Sequence, residues 1–261
     1  MQVIDYRRLT PALLQEWSQT IEAHSGCAKD FLFFTDGKPF RTCMPGRGKA
    51  AKNVMRELNI ADVNLVQKAC CNGHYGFHGL KVSSVLQADG VRHTHSESLR
   101  RHDSVALSRS KMIEMIRELK IGDDLRTPKV SSDSAYGRND VNQPRYTEIE
   151  LSTLNDDDRM LAIEQNRQNK GPQMAVECTF NKQMRKFTHA DYFVKHKIFD
   201  RGKRSENKLS TLCNLQTFFF NLFICAQNHG SQVTGILGVN PPTVEECLHS
   251  ANNDMLIDFP E

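Results

Sequence analysis

Four acidic side chains in this 261-residue chain occur beside apolar or strand-forming stretches, where acids are scarce. Asp36 follows the run Phe31-Leu-Phe-Phe34, and Asp133 follows Lys129-Val-Ser-Ser132. Asp103 stands at a junction between a predicted strand and a predicted helix, and Glu177 comes directly after Val176 in an apolar helical stripe. Carboxylates avoid apolar surroundings unless they are paired or bound to a cation. Several of them at one sheet edge repel one another unless a divalent ion neutralises them. Hard oxygen ligands favour Mg²⁺ or Mn²⁺ over zinc. Two such ions about 3.5–4 Å apart suit in-line phosphoryl transfer on a nucleic-acid backbone. Taken singly, each acid reads equally well as a cap or turn residue, because 31 acidic side chains place some at strand ends by chance.

The elements that must position these acids can be read from periodicity. Thr10-Pro11 opens a helix with Leu14, Trp17 and Ile21 on one face. Phe31–Phe34 reads as a strand buried on both sides, with Asp36 at its carboxyl end and Gly37 turning the chain. Residues 46–70 read as a basic, helix-like insertion (Lys49, Lys52, Arg56). Gly79–Gln87 alternates, Asp89-Gly90 signals a hairpin, and Val91–His95 returns as its partner strand. Val105, Met112, Ile116 and Leu119 suggest one helix capped by Asp103 or Ser104. Asp156-Asp-Asp158 reads as a helix cap. Gly171-Pro172 reads as the start of a helix with the stripe Val176, Phe180, Met184 and Phe187. A last long helix is expected to bury Leu212, Leu215, Phe219 and Leu222, with Phe218–Phe220 as core.

Beyond periodicity, ordered blocks carry a resemblance. Phe34-Thr-Asp-Gly-Lys-Pro-Phe40 with Met44-Pro-Gly46, Cys71-Asn-Gly-His-Tyr-Gly-Phe-His-Gly-Leu-Lys-Val82, and Arg100-Arg-His-Asp-Ser104 are three of them. Ser132-Asp-Ser-Ala-Tyr-Gly137, Val176-Glu-Cys-Thr-Phe180 and Gly238-Val-Asn-Pro-Pro-Thr-Val-Glu-Glu246 complete the series. In this order they resemble the conserved blocks of PIF/Harbinger-type DDE transposases and the Harbinger-derived nucleases. That resemblance implies an α/β (α+β) RNase H-like fold, a mixed central sheet flanked by helices. It implies a helical lead-in at 1–30, a catalytic domain at 31–235 and a tail at 236–261. By motif, Asp36, Asp133 and Glu177 become the catalytic triad, and these three with Asp103 become candidate ligands for Mg²⁺ or Mn²⁺. The implied activity is two-metal hydrolysis of DNA phosphodiesters, with strand transfer as an extension. The family also implies a nuclear location and a Myb-like DNA-binding partner protein. Lys38, Ser132 and Gln173 stand where the family usually has Thr, Gly and Arg. These departures leave open a domesticated, catalytically silent protein that acts as a DNA- or partner-binding scaffold.

A net charge of +3 neither demands nor argues against a nucleic-acid partner. Lys81 and the basic residues Lys195, Lys197, Arg201, Lys203 and Arg204 are the candidate DNA contacts; the last five read equally as an import signal or a solvated face. Eight cysteines without a C-x-x-C pair support neither a zinc ribbon nor a disulfide framework, and the N-terminus has no apolar signal core. No stretch reaches the roughly 18–20 apolar residues of a membrane span. His93, His95 and His102-Asp103 invite comparison with HD-type phosphohydrolases, but that fold is all-helical and here two of the histidines fall on a predicted strand.

Overall fold

In the computed structural model, residues 8–26, 29–44, 61–187, 208–227 and 232–248 are described, with positions 52, 55, 56 and 59 between them. Thr10 caps helix α1 (Pro11–Ser25) by accepting from the Leu13 N–H, and Gly26 ends it in the left-handed conformation. Leu14, Trp17 and Ile21 are buried, as their spacing requires.

The described strands form one six-stranded mixed sheet. Strand β1 (Phe31–Arg41) lies at its centre. Helix α2 (Val63–Cys70) leads into the two-residue β2 (Cys71–Asn72), which pairs with the start of β3 (Phe77–Gln87). Beyond the turn at Ala88–Val91, where Gly90 has φ 86°, β4 (Arg92–Ser98) returns antiparallel to β3. On its other side β1 pairs in parallel with β5 (Lys129–Ser132), which pairs in parallel with β6 (Asn142–Pro144). The order is therefore β3-β1-β5-β6, with β2 and β4 both on the outer edge of β3. Every residue from Gly79 to Gln87 is buried, so β3 is covered on both faces.

Helices α3 (Asp103–Arg109) and α4 (Met112–Glu118) follow β4. The single helix expected here is broken, because Lys111 adopts φ 60° and Ser110 uses its hydroxyl on the Leu107 carbonyl. Its cap is His102, and Val105 faces solvent. After α5 (Glu148–Thr153) comes the 31-residue α6 (Asp156–Lys186), capped by Asn155 with Asp156–Asp158 in its first turn. Gly171-Pro172 does not start a helix; α6 runs through it. Pro172 gives up one backbone hydrogen bond, and the buried Pro172, Gln173, Ala175 and Val176 hold the helix against the core. Helices α7 (Lys208–Ala226) and α8 (Gln232–Leu237) complete the layer.

Helix α7 buries a different face from the one expected. Leu215 and Phe219 are 44% and 49% exposed, whereas Cys213, Gln216, Thr217, Phe220, Asn221 and Ile224 are buried. The polar members serve the edge strand. Asn221 accepts from the Arg92 backbone N–H at 3.1 Å and donates to its carbonyl at 2.9 Å, and Thr217 meets Thr94 at 3.1 Å. The backbone N–H and C=O of Arg92, at the start of β4, are thus both satisfied by the Asn221 side chain of α7. Among the described residues no helix is long and apolar enough to cross a membrane, and the described cysteines are free thiols.

Candidate active site

Strand β1 does not end at Asp36, as Asp-Gly suggested, but continues to Arg41, so Asp36 lies inside the central strand. Asp36 pairs with Ser84 and Lys38 with Val82, which puts them on one face with Phe40 and Leu80. Met184 of α6 packs on that same face, against Phe40, Leu80 and Val82. Gly37 and Pro39 point the other way, with their partners Ser83 and Lys81.

Parallel pairing sets Phe33 beside Val130 and Phe34 beside Ser131. Asp133 comes two positions after Ser131, just past the end of β5, as Asp36 comes two positions after Phe34 in β1. The turn after β5 holds Asp133: its Oδ1 accepts from the Ala135 N–H at 2.8 Å. Glu177 lies exposed on α6, one residue past the buried Val176.

Burial pushes the Asp36 carboxyl up to about 6. The Gly37 N–H, donating to Asp36 Oδ1 at 2.7 Å, opposes the shift, while the charges of Asp133, Glu177 and Asp103 reinforce it. Three acids from separate segments therefore act on Asp36. Two phenols share their field. Tyr136 is 2% exposed, and burial followed by the charges of Asp103, Asp36 and Asp133 holds its hydroxyl well above the ordinary value. The more open Tyr75 is raised by burial and by the same three acids. Oxygen donors of this kind fit Mg²⁺ or Mn²⁺. Among the described residues, no three His, Cys, Asp or Glu side chains stand together as a ready-made metal-ligand group.

The fourth acid is engaged elsewhere. Asp103 Oδ1 lies 2.8 Å from Lys81 Nζ, which also donates to the Arg101 carbonyl at 3.0 Å. Lys81, expected as a DNA contact, is 3% exposed and turned inward, because its strand is covered on both faces and its ammonium is paired. Lys195, Lys197, Arg201, Lys203 and Arg204 lie outside the described residues, as does most of the basic stretch from 46 to 60. His93 and His95 are on the edge strand β4, where His95 meets Glu97 at 3.0 Å, and His102 caps α3.

Tyr136, Tyr75 and the pairing of Lys81 with Asp103 escape a reading based on periodicity. Their only signal is position, since Tyr136 lies three residues after Asp133, and Tyr75 and Lys81 share one motif block. Comparisons with family models, with curated proteins and with solved structures find no match.

Proposed function

We propose that this chain is a metal-dependent DNA endonuclease or transposase of RNase H-like fold, with Asp36, Asp133 and Glu177 as its catalytic carboxylates. The observation that carries the reading is the shared field at Asp36, raised by burial and then by Asp133, Glu177 and Asp103. The strand order supports it as well. An antiparallel trio, β4-β3-β1, is extended by the parallel β5 and β6, with one acid on the central strand, one after its neighbour and one on a later helix.

Crowded carboxylates are costly without counter-charge. Mg²⁺ or Mn²⁺ would supply that charge, lower the pKa of a bound water and neutralise charge on the phosphate. Asp36, fixed within the central strand, would anchor the cation, and Asp133 would share it from the adjacent strand. Glu177, exposed on α6 but on the same helical face as the buried Phe180 and Met184, would close the set as the substrate approaches. Tyr75, partly exposed within the field of the acids, would offer an aromatic face for a nucleotide base. A Myb-like partner and a nuclear location belong to the same reading.

Plasmid nicking by the purified full chain in Mn²⁺ or Mg²⁺ tests it. Asp133→Asn should lower the rate by about a hundredfold or more. Equal nicking by wild type and variant would overturn the assignment. The scaffold reading predicts no nicking and no calorimetric Mn²⁺ site that depends on Asp36 and Glu177.

A further inference from the structure

Resting on the nuclease reading, we infer that Lys81 is a positioning residue that keeps Asp103 on the far face of β1 as a fixed counter-ion, so that a divalent cation is held from the opposite face by Asp36, Asp133 and Glu177 alone.

The register carries this division. Asp36 shares its face with Ser84, Val82 and helix α6, whereas Gly37 shares the opposite face with Ser83 and Lys81. Asp103 sits on that second face. A Cβ placed on Gly37 would lie 2.8 Å from Asp103 Oδ1, 3.3 Å from Lys81 Cδ and 3.3 Å from the Tyr136 hydroxyl. The bare Gly37 backbone thus forms the wall on which the carboxylate, the ammonium stem and the phenol converge. The pair is anchored from below, because Lys81 Nζ also holds the Arg101 carbonyl and Arg101 pairs with Glu97 at 2.9 Å. Glu97 stands directly opposite Lys81 on β4. A buried ammonium has no low-cost alternative to such partners, so Asp103 is fixed in place.

Two consequences follow from charge alone. Removing Lys81 leaves Asp103 unneutralised near the acidic centre, which strengthens the attraction for a cation. Removing Asp103 leaves the Lys81 ammonium unopposed, which weakens it. Removing both restores the balance and, because no buried charge is left without its partner, damages the fold less than either single change.

Calorimetric titration of the full chain with Mn²⁺ tests this, with circular dichroism verifying the fold of each variant. Lys81→Met should tighten Mn²⁺ binding about tenfold and Asp103→Asn should weaken it about tenfold. Lys81→Arg should stay within about threefold of wild type, as should the double variant Lys81→Met/Asp103→Leu. A merely structural pair would not move affinity in opposite directions. If the folded double variant loses Mn²⁺ binding as completely as Asp36→Asn, Asp103 is a ligand and the inference is overturned while the nuclease reading stands. If wild type has no Mn²⁺ site sensitive to Asp36→Asn, both fall together.

Discussion

The charge of Asp133 reaches Asp36 because Phe34 and Ser131, each two residues earlier, are register partners in the parallel strands β1 and β5. The residues that enforce this are apolar: Phe31, Leu32, Phe33, Phe34 and Val130 are all buried. Core packing thereby presses two like charges together, and the fold bears the cost.

That cost should be measurable at Asp36. Its folded-state value of about 6 lies above the ordinary 3.8, so the folded chain holds the proton more tightly than the unfolded one. Stability should fall as pH rises through this window and stay low above it. The loss is about 3 kcal/mol at neutral pH. Asp36→Asn should therefore melt higher than wild type by roughly 6–10 °C at pH 7.5 in EDTA, with the gap closing near pH 4. Mn²⁺ should stabilise wild type only and narrow the gap. Calorimetric scans at the two pH values check this; an offset independent of pH would refute it.

Gly37 should not tolerate a methyl group. Its backbone is not in a left-handed conformation, so the constraint is space alone: the new carbon would approach Asp103 Oδ1 to 2.8 Å. Gly37→Ala should cost roughly 1–3 kcal/mol in urea unfolding by forcing the carboxylate off Lys81. Introduced into an Asp103→Ala background, the same change should cost less than about 1 kcal/mol, because the nearest obstacle is gone and Lys81 Cδ and the Tyr136 hydroxyl, at 3.3 Å, need give only slightly.

Much of this arrangement could be read from the chain, and the failures share a cause. Four consecutive apolar residues announced the start of β1, and Asp89-Gly90 announced its hairpin neighbour pair. Asp36-Gly37 was misleading because the dipeptide is a turn signal by local preference, whereas Gly37 serves a tertiary purpose, the room needed by Asp103. Pro172 misled for a similar reason, since burial outweighed a local break. In α7 Leu215 and Phe219 of the expected stripe face outward, because the polar Asn221 and Thr217 are needed against β4. Candidate acids could be picked out by type and motif order, but which of them share a face depends on strand register, and register was not legible.

Arg92 offers a test of burial without a carboxylate. Its guanidinium is fully buried between the rings of Phe180 and Phe220, at 4.7 and 5.2 Å, and its nitrogens have no hydrogen-bond partner among the described residues. Burial pulls it down to about 9. Ring contacts return about 2 kcal/mol, less than the several kcal/mol that desolvating an ion costs. Arg92→Met should therefore stabilise the fold by roughly 1–3 kcal/mol at pH 7. Because the folded chain releases this proton more readily than the unfolded one, wild-type stability should rise as pH passes 9, and the advantage of Met should shrink there. Urea unfolding at pH 7 and pH 10 reads both effects, and a destabilised Met variant at pH 7 would mean that the ring contacts dominate.

The phase of α7 can be decided with two adjacent residues. Phe220 is fully buried against Arg92, whereas Phe219, one position away, is about half exposed. Phe220→Ala should cost about 3–5 kcal/mol, the usual loss for a core aromatic. Phe219→Lys should change stability by no more than about 0.5 kcal/mol, as an exposed substitution does. Swapped outcomes would mean that Leu212, Leu215, Phe219 and Leu222 form the buried stripe, and that Asn221 does not hold the rim of β4. Because Arg92 lies between α6 and α7, that result would also undo the packing which carries Glu177 toward Asp36.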